Sequence, residues 1–248
     1  MSKQTENWYS ERLGQHVTVA RWGHVGTPVL IFPTAAGDAE ECERFLMLDV
    51  LAPLLEAQRI KVYSVDSIAG QAWIDRDIPR DVAGRRQNQF DEFVYREVLP
   101  LIRTDCKSPD IEVIAAGASI GAFNALAAIC RHPDVFSKAI CMSGTFDIER
   151  LFCDGVVLCD LWHASPLHFM PKMPPGEHLD KLKTRFVLMA HGQGRAESPE
   201  HNWGMARILG AKEIPNRVDD WGRDYPHDWV TWREMLPKYL DELAPRRA

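Results

Sequence analysis

The sequence has few of the features that mark metal-binding, disulfide-stapled or nucleic-acid-binding proteins. Its six cysteines form no CxxC pair and show no His/Cys spacing typical of a zinc site. Several of them stand in apolar runs, which predicts buried, reduced thiols and no metal ion. No cluster of lysine and arginine stands out, and the net charge is −6, so nucleic acid is not an expected partner.

The chain also lacks long hydrophobic runs, internal repeats and Gly/Ser linkers. No stretch is long enough to span a membrane, and residues 1–15 are polar and lack the apolar segment of a secretory signal. We therefore expect a cytoplasmic protein with no membrane partner. A length of 248 residues fits one large α/β domain, so we predict a single domain over residues 1–248. The oligomeric state is left open.

Short apolar runs with strand character alternate with longer helical patterns, which predicts a mostly parallel central sheet flanked by helices. The predicted strands are residues 15–22, 28–33, 60–65, 111–116, 138–143, 185–190 and 216–221. The predicted helices are residues 40–58, 85–103, 120–131 and 229–243. Residues 145–183 follow no regular period, and an unpatterned stretch of this length is typical of a functional loop or lid.

A serine with small neighbours lies between a predicted strand and a predicted helix. Residues 117–121 are Gly-Ala-Ser-Ile-Gly, which matches the G-x-S-x-G pattern of a nucleophile elbow. In such an elbow a strained turn exposes the serine Oγ, and the flanking residues must be small because strand and helix nearly touch. The pattern also arises by chance in glycine-rich turns, but the strand before it and the helix after it favour Ser119 as a nucleophile.

Backbone amides near this serine are candidates for an oxyanion hole. The Ile120 N–H lies at the start of the predicted helix, where free donors and the helix dipole favour a negative charge. A second donor is expected from the loop after strand 28–33. Ala35 and Ala36 are equally good candidates, because their small side chains would let a substrate approach the backbone. The alternative is that this loop is an ordinary turn.

Of the nine histidines, His227 has the position required of a general base. It follows the last predicted strand and precedes the final helix, which agrees with the α/β-hydrolase chain order of serine, acid, histidine. We interpret the other histidines as surface or core residues. The neighbouring Asp228 is expected to cap the closing helix instead.

The triad acid is marked less clearly. It is expected in the loop after strand 185–190, and the first carboxylate there is Glu197. A glutamate can orient an imidazole and stabilise its charged form as well as an aspartate can, so we favour Glu197. The other candidates, in descending order, are Glu200 and then Asp219 and Asp220. The alternative is that all four are solvated surface charges.

The elbow, the loop 32–38 and the segment 227–233 together resemble the putative-esterase family, which includes esterase D (S-formylglutathione hydrolase) and the bacterial mycolyltransferases. The similarity covers nearly the whole chain in element order and is specific at the elbow and at His-Asp-Trp. It implies an α/β-hydrolase fold with a lid-like insertion after the sixth strand, a Ser-His-acid triad, an acyl-enzyme and no cofactor. It also implies that Ser119, His227 and the Ile120 amide have the roles given above. The departure is Glu197, where the family more usually has an aspartate.

Three functions are compatible with these residues. The first is a serine esterase that cleaves a small-molecule ester through an acyl-enzyme. The second is an acyltransferase that passes the same acyl group to another acceptor. The third is a non-catalytic binding or scaffold protein, which the unusual acid loop favours and the Ser119–His227 pair disfavours. In an esterase the insertion would cover a mostly apolar pocket. Its expected substrate-selecting residues are Trp162, Phe169 and Met170.

Overall fold

The computed structural model describes residues 2–153 and 159–245, without the side chain of Cys159. Within these ranges eight strands form one sheet. They are β1 (Lys3–Ser10), β2 (Gln15–Trp22), β3 (Thr27–Phe32), β4 (Ile60–Val65), β5 (Val113–Ala118), β6 (Phe136–Met142), β7 (Phe186–His191) and β8 (Asn216–Asp220).

Helices connect most of these strands. They are α1 (Glu41–Arg44), α2 (Met47–Glu56), α3 (Ile68–Ile74), α4 (Arg80–Phe93), α5 (Leu99–Asp105), α6 (Ile120–Arg131), α7 (Ile148–Phe152), α8 (Cys159–Trp162), α9 (Pro166–Lys172), α10 (Glu177–Leu182), α11 (Pro199–Ala211) and α12 (Trp229–Leu243). A π-helical turn, Val94–Val98, joins α4 to α5.

The strands lie in the order β1-β2-β4-β3-β5-β6-β7-β8. The pairs β1–β2 and β2–β4 are antiparallel, whereas the remaining neighbours are parallel. This confirms the predicted, mostly parallel sheet. Strands β4 and β5 are buried along their whole length, as expected of parallel strands covered by helices on both faces.

The sheet separates two hydrophobic clusters. On one face α2 and α12 bring Leu51 and Leu236 against strand residues such as Ile140. On the other face α4 and α6 contribute Phe90 and Phe123 to a larger cluster. Because β3 to β8 run parallel to one another, their carboxyl ends meet at one edge of the sheet, where turns and loops are free to carry functional groups.

Two predicted helices differ from the observed ones. The helix predicted over residues 40–58 is divided into α1 and α2, because Leu46 has a left-handed backbone with φ of 59° that interrupts the helical hydrogen bonds. The helix predicted over residues 85–103 begins earlier, at Arg80 after Pro79. It continues to Asp105 through the π-helical turn.

The segment 145–183 is more regular than predicted. Its described part contains α7, α8, α9 and α10, while residues 154–158 lie outside the described residues. Each of these helices has at most seven residues, which is two turns or fewer. An apolar period of 3.6 residues cannot be recognised over so short a length, so the sequence pattern looked irregular.

In residues 2–153 and 159–245, no helix combines the length and the apolar character needed to cross a lipid bilayer.

Candidate active site

Ser119 forms the tip of a tight turn between β5 and α6. Its backbone angles, φ 58° and ψ −122°, lie outside the regions that residues with side chains favour. A Cβ atom on Gly117 would lie 2.3 Å from the backbone of Gly121, and one on Gly121 would lie 2.3 Å from the Phe32 carbonyl oxygen. The close approach of strand and helix therefore requires both glycines, for the reason expected from the sequence.

The loop after β6 is attached to this turn. The Ser119 N–H donates to the Met142 carbonyl over 3.0 Å, and the Ser119 carbonyl accepts from the Thr145 N–H over 3.2 Å. The Thr145 Oγ1 lies 3.5 Å from the Ser119 Oγ. A second hydroxyl thus stands beside the candidate nucleophile. Nothing in the local sequence around Thr145 marks this position.

The loop that contains Ala35 and Ala36 begins beside the same turn, since the Phe32 and Pro33 carbonyl oxygens lie directly against Gly121. A loop that supplies an oxyanion donor must lie beside the nucleophile turn, and this loop does. This position does not distinguish between the two alanine amides, which remain alternatives.

A buried glutamate in α1 holds the loop of residues 34–37. Glu41 accepts hydrogen bonds from the Thr34 N–H over 2.7 Å and from the Thr34 Oγ1 over 2.5 Å. At the other end of the loop, the Gln71 Nε2 donates to the Gly37 carbonyl over 2.9 Å. Burial raises the pKa of Glu41, and the hydrogen bonds from Thr34 oppose this effect. Neither Glu41 nor Gln71 belongs to a recognisable motif, so the sequence alone does not mark them.

His227 lies in the loop between β8 and α12. Its backbone N–H donates to the Arg195 carbonyl over 3.0 Å, and its ring packs edge-on against the Trp232 ring with 5.2 Å between centroids. The Asp228 side chain accepts a hydrogen bond from the Trp229 N–H. This confirms that Asp228 caps α12.

Glu197 has a side chain that is only 1 % exposed. Its Oε1 accepts a hydrogen bond from the Ser143 Oγ over 2.5 Å, and its Oε2 lies 3.9 Å from the His227 Nδ1. Among the described residues, Oε2 has no hydrogen-bond partner. The Ser143 Oγ in turn accepts from the Trp232 Nε1 over 2.9 Å. No sequence motif marks Ser143 or Trp232 as a site residue, although Trp232 belongs to the segment that carries the family resemblance.

The other candidate acids face elsewhere. Glu200 is exposed at the start of α11. Asp219 forms an ion pair with Arg217 over 3.0 Å. Asp220 accepts hydrogen bonds from the Gln193 side chain and the Gly222 N–H. Of the four carboxylates that the sequence offered, Glu197 is therefore the one that approaches His227.

Two glycines allow the acid loop and the base loop to pack backbone against backbone. A Cβ atom on Gly192 would lie 1.8 Å from the Tyr225 carbonyl oxygen, and one on Gly194 would lie 2.8 Å from the Pro226 nitrogen. The Gly194 N–H donates to the Tyr225 carbonyl over 3.0 Å. This packing carries Glu197 towards His227.

The predicted substrate-selecting residues need a correction. Met170 has no exposed surface and belongs to the hydrophobic core, because it lies on the inner side of α9. It is a packing residue and does not line an open pocket. Phe169 and Trp162 are half-buried, and Trp162 has the Lys172 Nζ 5.2 Å from its ring centroid.

Comparisons with known proteins agree with this architecture. The model of the family described as "Putative esterase" matches residues 72–243. A ferulic acid esterase has a TM-score of 0.74 and 16 % identity, and the match covers 98 % of both chains. An S-formylglutathione hydrolase from Agrobacterium tumefaciens has a TM-score of 0.74 and 13 % identity over 98 % of this chain and 94 % of the other.

A further solved structure, the fluorophosphonate-binding serine hydrolase FphF from Staphylococcus aureus, has a TM-score of 0.71 and 14 % identity over 99 % of each chain. Curated protein sequences give no match. The structural matches confirm the expected α/β-hydrolase fold, and the family model covers well over half of the sequence. The chain therefore belongs to the putative-esterase family and is a carboxylic ester hydrolase.

Proposed function

We propose that the protein is a serine esterase that cleaves small-molecule carboxylic esters through an acyl-enzyme, with Ser119, His227 and Glu197 as its triad. The observation that supports this most strongly is the nearly inaccessible Glu197 carboxylate, whose Oε2 faces His227 at 3.9 Å. An ionised carboxylate is costly to bury without a partner that balances its charge. An imidazole that becomes cationic during the reaction supplies this balance when it is needed.

In the proposed reaction the Ser119 Oγ attacks the ester carbonyl carbon, and His227 accepts the serine proton through Nε2. Glu197 then pairs with the imidazolium through the proton on Nδ1. The Nδ1–Oε2 distance of 3.9 Å is longer than a hydrogen bond, and catalytic hydrogen bonds of free enzymes commonly tighten in the substrate complex. His227 next donates its proton to the leaving alcohol. It afterwards deprotonates a water molecule, which attacks the acyl-enzyme and releases the acid and free Ser119.

The negative charge on the carbonyl oxygen needs donors that are already in place. We assign these to the Ile120 N–H at the start of α6 and to the N–H of Ala35 or Ala36. Helix N-termini have free amide donors and a favourable dipole. The hydrogen bonds that hold both ends of the Thr34–Gly37 loop support this assignment, since a rigid donor costs little reorganisation in the transition state.

The insertion 145–183 is proposed to cover the site within a single domain of 248 residues, with Trp162 and Phe169 contributing to substrate selection. The relatives suggest first substrates, namely esters of ferulic acid and the thioester S-formylglutathione. The six cysteines fit a reducing compartment, so we propose that the enzyme acts in the cytoplasm.

The proposal is tested by hydrolysis of p-nitrophenyl acetate and butyrate by the wild type and by Ser119→Ala and His227→Ala. We expect each substitution to lower kcat/KM by about 10³-fold or more. His24→Ala, which changes an exposed histidine far from the elbow in sequence, is the matched control and should retain full activity. Folded wild-type protein without turnover, or turnover that survives Ser119→Ala, would contradict the proposal. Product analysis with added alcohols separates hydrolysis from acyl transfer.

A further inference from the structure

Ser143 connects the candidate acid to the helix that follows the candidate base. Its Oγ accepts from the Trp232 Nε1 over 2.9 Å and lies 2.5 Å from the Glu197 Oε1. The directions of these bonds follow from chemistry, because an indole N–H can only donate and an ionised carboxylate can only accept. The serine proton must therefore point at Glu197. All three side chains are buried, so water does not compete for these bonds.

The backbone at Ser143 is constrained as well. Its φ of 48° lies in the left-handed region, which is unfavourable for a residue with a side chain. The Ser143 N–H donates to the Ala190 carbonyl over 2.7 Å, which ties the end of β6 to the end of β7. A glycine would adopt this conformation without strain. A serine adds one thing that glycine lacks, namely a hydroxyl aimed at the acid.

Trp232 contacts both His227 and Ser143. Its ring packs against the His227 ring at an interplanar angle of 83°, while its indole N–H donates a hydrogen bond to the Ser143 Oγ. It lies one turn into α12, whose first turn is capped by Asp228. The orientation of the imidazole and the orientation of the carboxylate therefore depend on one rigid side chain.

We propose that Trp232 and Ser143 are positioning residues, which occupy Oε1 of Glu197 so that Oε2 is held towards His227. This inference rests on the proposed function. Neither residue reaches the substrate, and both act through Glu197. A glutamate has one more rotatable bond than the aspartate that is more usual in this family, and fixing each such bond costs conformational entropy. The Trp232–Ser143 relay restricts this freedom before the substrate binds.

The test is a double-mutant cycle that measures kcat and KM for a p-nitrophenyl ester. Ser143→Ala removes the hydroxyl, and Trp232→Phe removes the N–H but keeps an aromatic ring against His227. Ser143→Ala should lower kcat about tenfold with little change in KM, as expected for the loss of one hydrogen bond to a charged group. Trp232→Phe should lower kcat in the same direction, because the Ser143 hydroxyl then loses the donor that orients it towards Glu197. In a Glu197→Gln background the same substitutions should change kcat less than about twofold, because positions that act through one group are not additive.

Two further variants separate the relay from general stability. Ser143→Gly relieves the left-handed backbone yet lacks the hydroxyl, so it should fold at least as well as Ser143→Ala and lose as much kcat. Ser10→Ala is the matched control, because the buried Ser10 also donates to a glutamate, the Oε1 of Glu97 over 2.9 Å. It should leave kcat unchanged. Thermal melting of every variant identifies any that fail to fold. If Trp232→Phe fails to fold, the two Ser143 variants alone still test the inference.

The outcomes distinguish this inference from the proposed function. A wild type without Ser119-dependent turnover overturns both. Ser119-dependent turnover with unchanged kcat in Ser143→Ala and Ser143→Gly overturns the relay alone. Equal losses of kcat in the Glu197 and Glu197→Gln backgrounds also overturn it, since the residues would then act by a general structural route.

Discussion

Two glutamates in this molecule are held by the same kinds of side chain but differ in the group that balances their charge. Glu97, in the π-helical turn, accepts from the Trp8 Nε1 over 2.7 Å, from the Ser10 Oγ over 2.9 Å and from the Arg12 Nη1 over 3.2 Å. The Glu197 Oε1 accepts from a serine, which in turn accepts from a tryptophan. Among the described residues its second oxygen has no hydrogen-bond partner, and it lies 3.9 Å from a histidine nitrogen.

The difference indicates what each carboxylate does. Glu97 has donors on both oxygens and a permanent cation, and its side chain is 15 % exposed, so its charge is balanced at every moment. It links β1 and the β1–β2 turn to the helical layer. Glu197 is more deeply buried, and in the proposed triad its charge would be balanced by His227 only in the imidazolium form. We therefore interpret Glu97 as a residue that stabilises the fold, whereas the unpartnered Oε2 of Glu197 agrees with its proposed role in the triad.

The sharpest test of this contrast replaces each glutamate with its neutral isostere. Glu197→Gln should lower kcat/KM by about 10³-fold, because an amide cannot stabilise the imidazolium. Glu97→Gln should leave kcat/KM within about twofold, since a lost hydrogen bond far from the reacting atoms has no route to the transition state. Steady-state kinetics on one ester substrate measures both. Similar losses in the two variants would remove the distinction.

Shortening the acid should have the next largest effect. Glu197→Asp keeps the charge, but its carboxylate cannot reach both the Ser143 hydroxyl and His227. We expect kcat to fall about 10–100-fold, because catalysis is sensitive to displacements of about 1 Å. The measurement is kcat of the purified variant and of the wild type, after their melting temperatures have been shown to agree. Wild-type kcat in this variant would show that the length of the side chain is unimportant.

Of the two glutamine variants, Glu97→Gln should be the more active but the less stable. Glu97→Gln should lower the free energy of unfolding by about 1.5–3 kcal/mol, because two donors and a cation lose a charged acceptor. Glu197→Gln should change it less, since a neutral amide no longer has to be buried as an ion. Urea denaturation monitored by tryptophan fluorescence compares them directly. A Glu197→Gln protein that is the less stable of the two would contradict this expectation.

The smallest effect concerns the cation itself. The Arg12 side chain is 46 % exposed, so its ion pair with Glu97 is weakened by solvent. Arg12→Gln should lower the free energy of unfolding by only about 0.2–1 kcal/mol, and the loss should shrink as salt is added. Urea denaturation at low and high ionic strength measures it. A large loss that persists in high salt would show that Arg12 is more than a screened surface partner.

The elements that could be predicted from sequence are those with a strong, complete pattern. The predicted bounds of β2, β4, α6 and α12 coincide with the observed ones, because each shows a clear apolar run or a clear helical period. Strand β1 was missed, since it is an edge strand whose side chains are mostly exposed on both faces and therefore do not alternate. The short helices of the segment 145–183 were missed because of their length.

Some residues of the candidate site could be predicted from the sequence, and others could not. Ser119 and His227 could be selected from a local motif and from chain order, both of which are properties of the linear sequence. The partners Ser143 and Trp232 could not, because their contacts arise only when parallel strands bring several loops to one edge of the sheet. Glu41 contacts Thr34 only seven residues away, but no recognisable motif marks this pair. Hydrogen bonds between side chains that are 89 residues apart, as in the Ser143–Trp232 pair, leave no local signal.

The most direct measurement is covalent labelling with a fluorophosphonate probe, followed by mass spectrometry of the modified peptide. An activated serine should react, the label should map to Ser119, and His227→Ala should abolish it because the hydroxyl then lacks its base. A well-folded wild-type protein that stays unlabelled, or a label on another residue, would contradict the assignment of Ser119 as nucleophile.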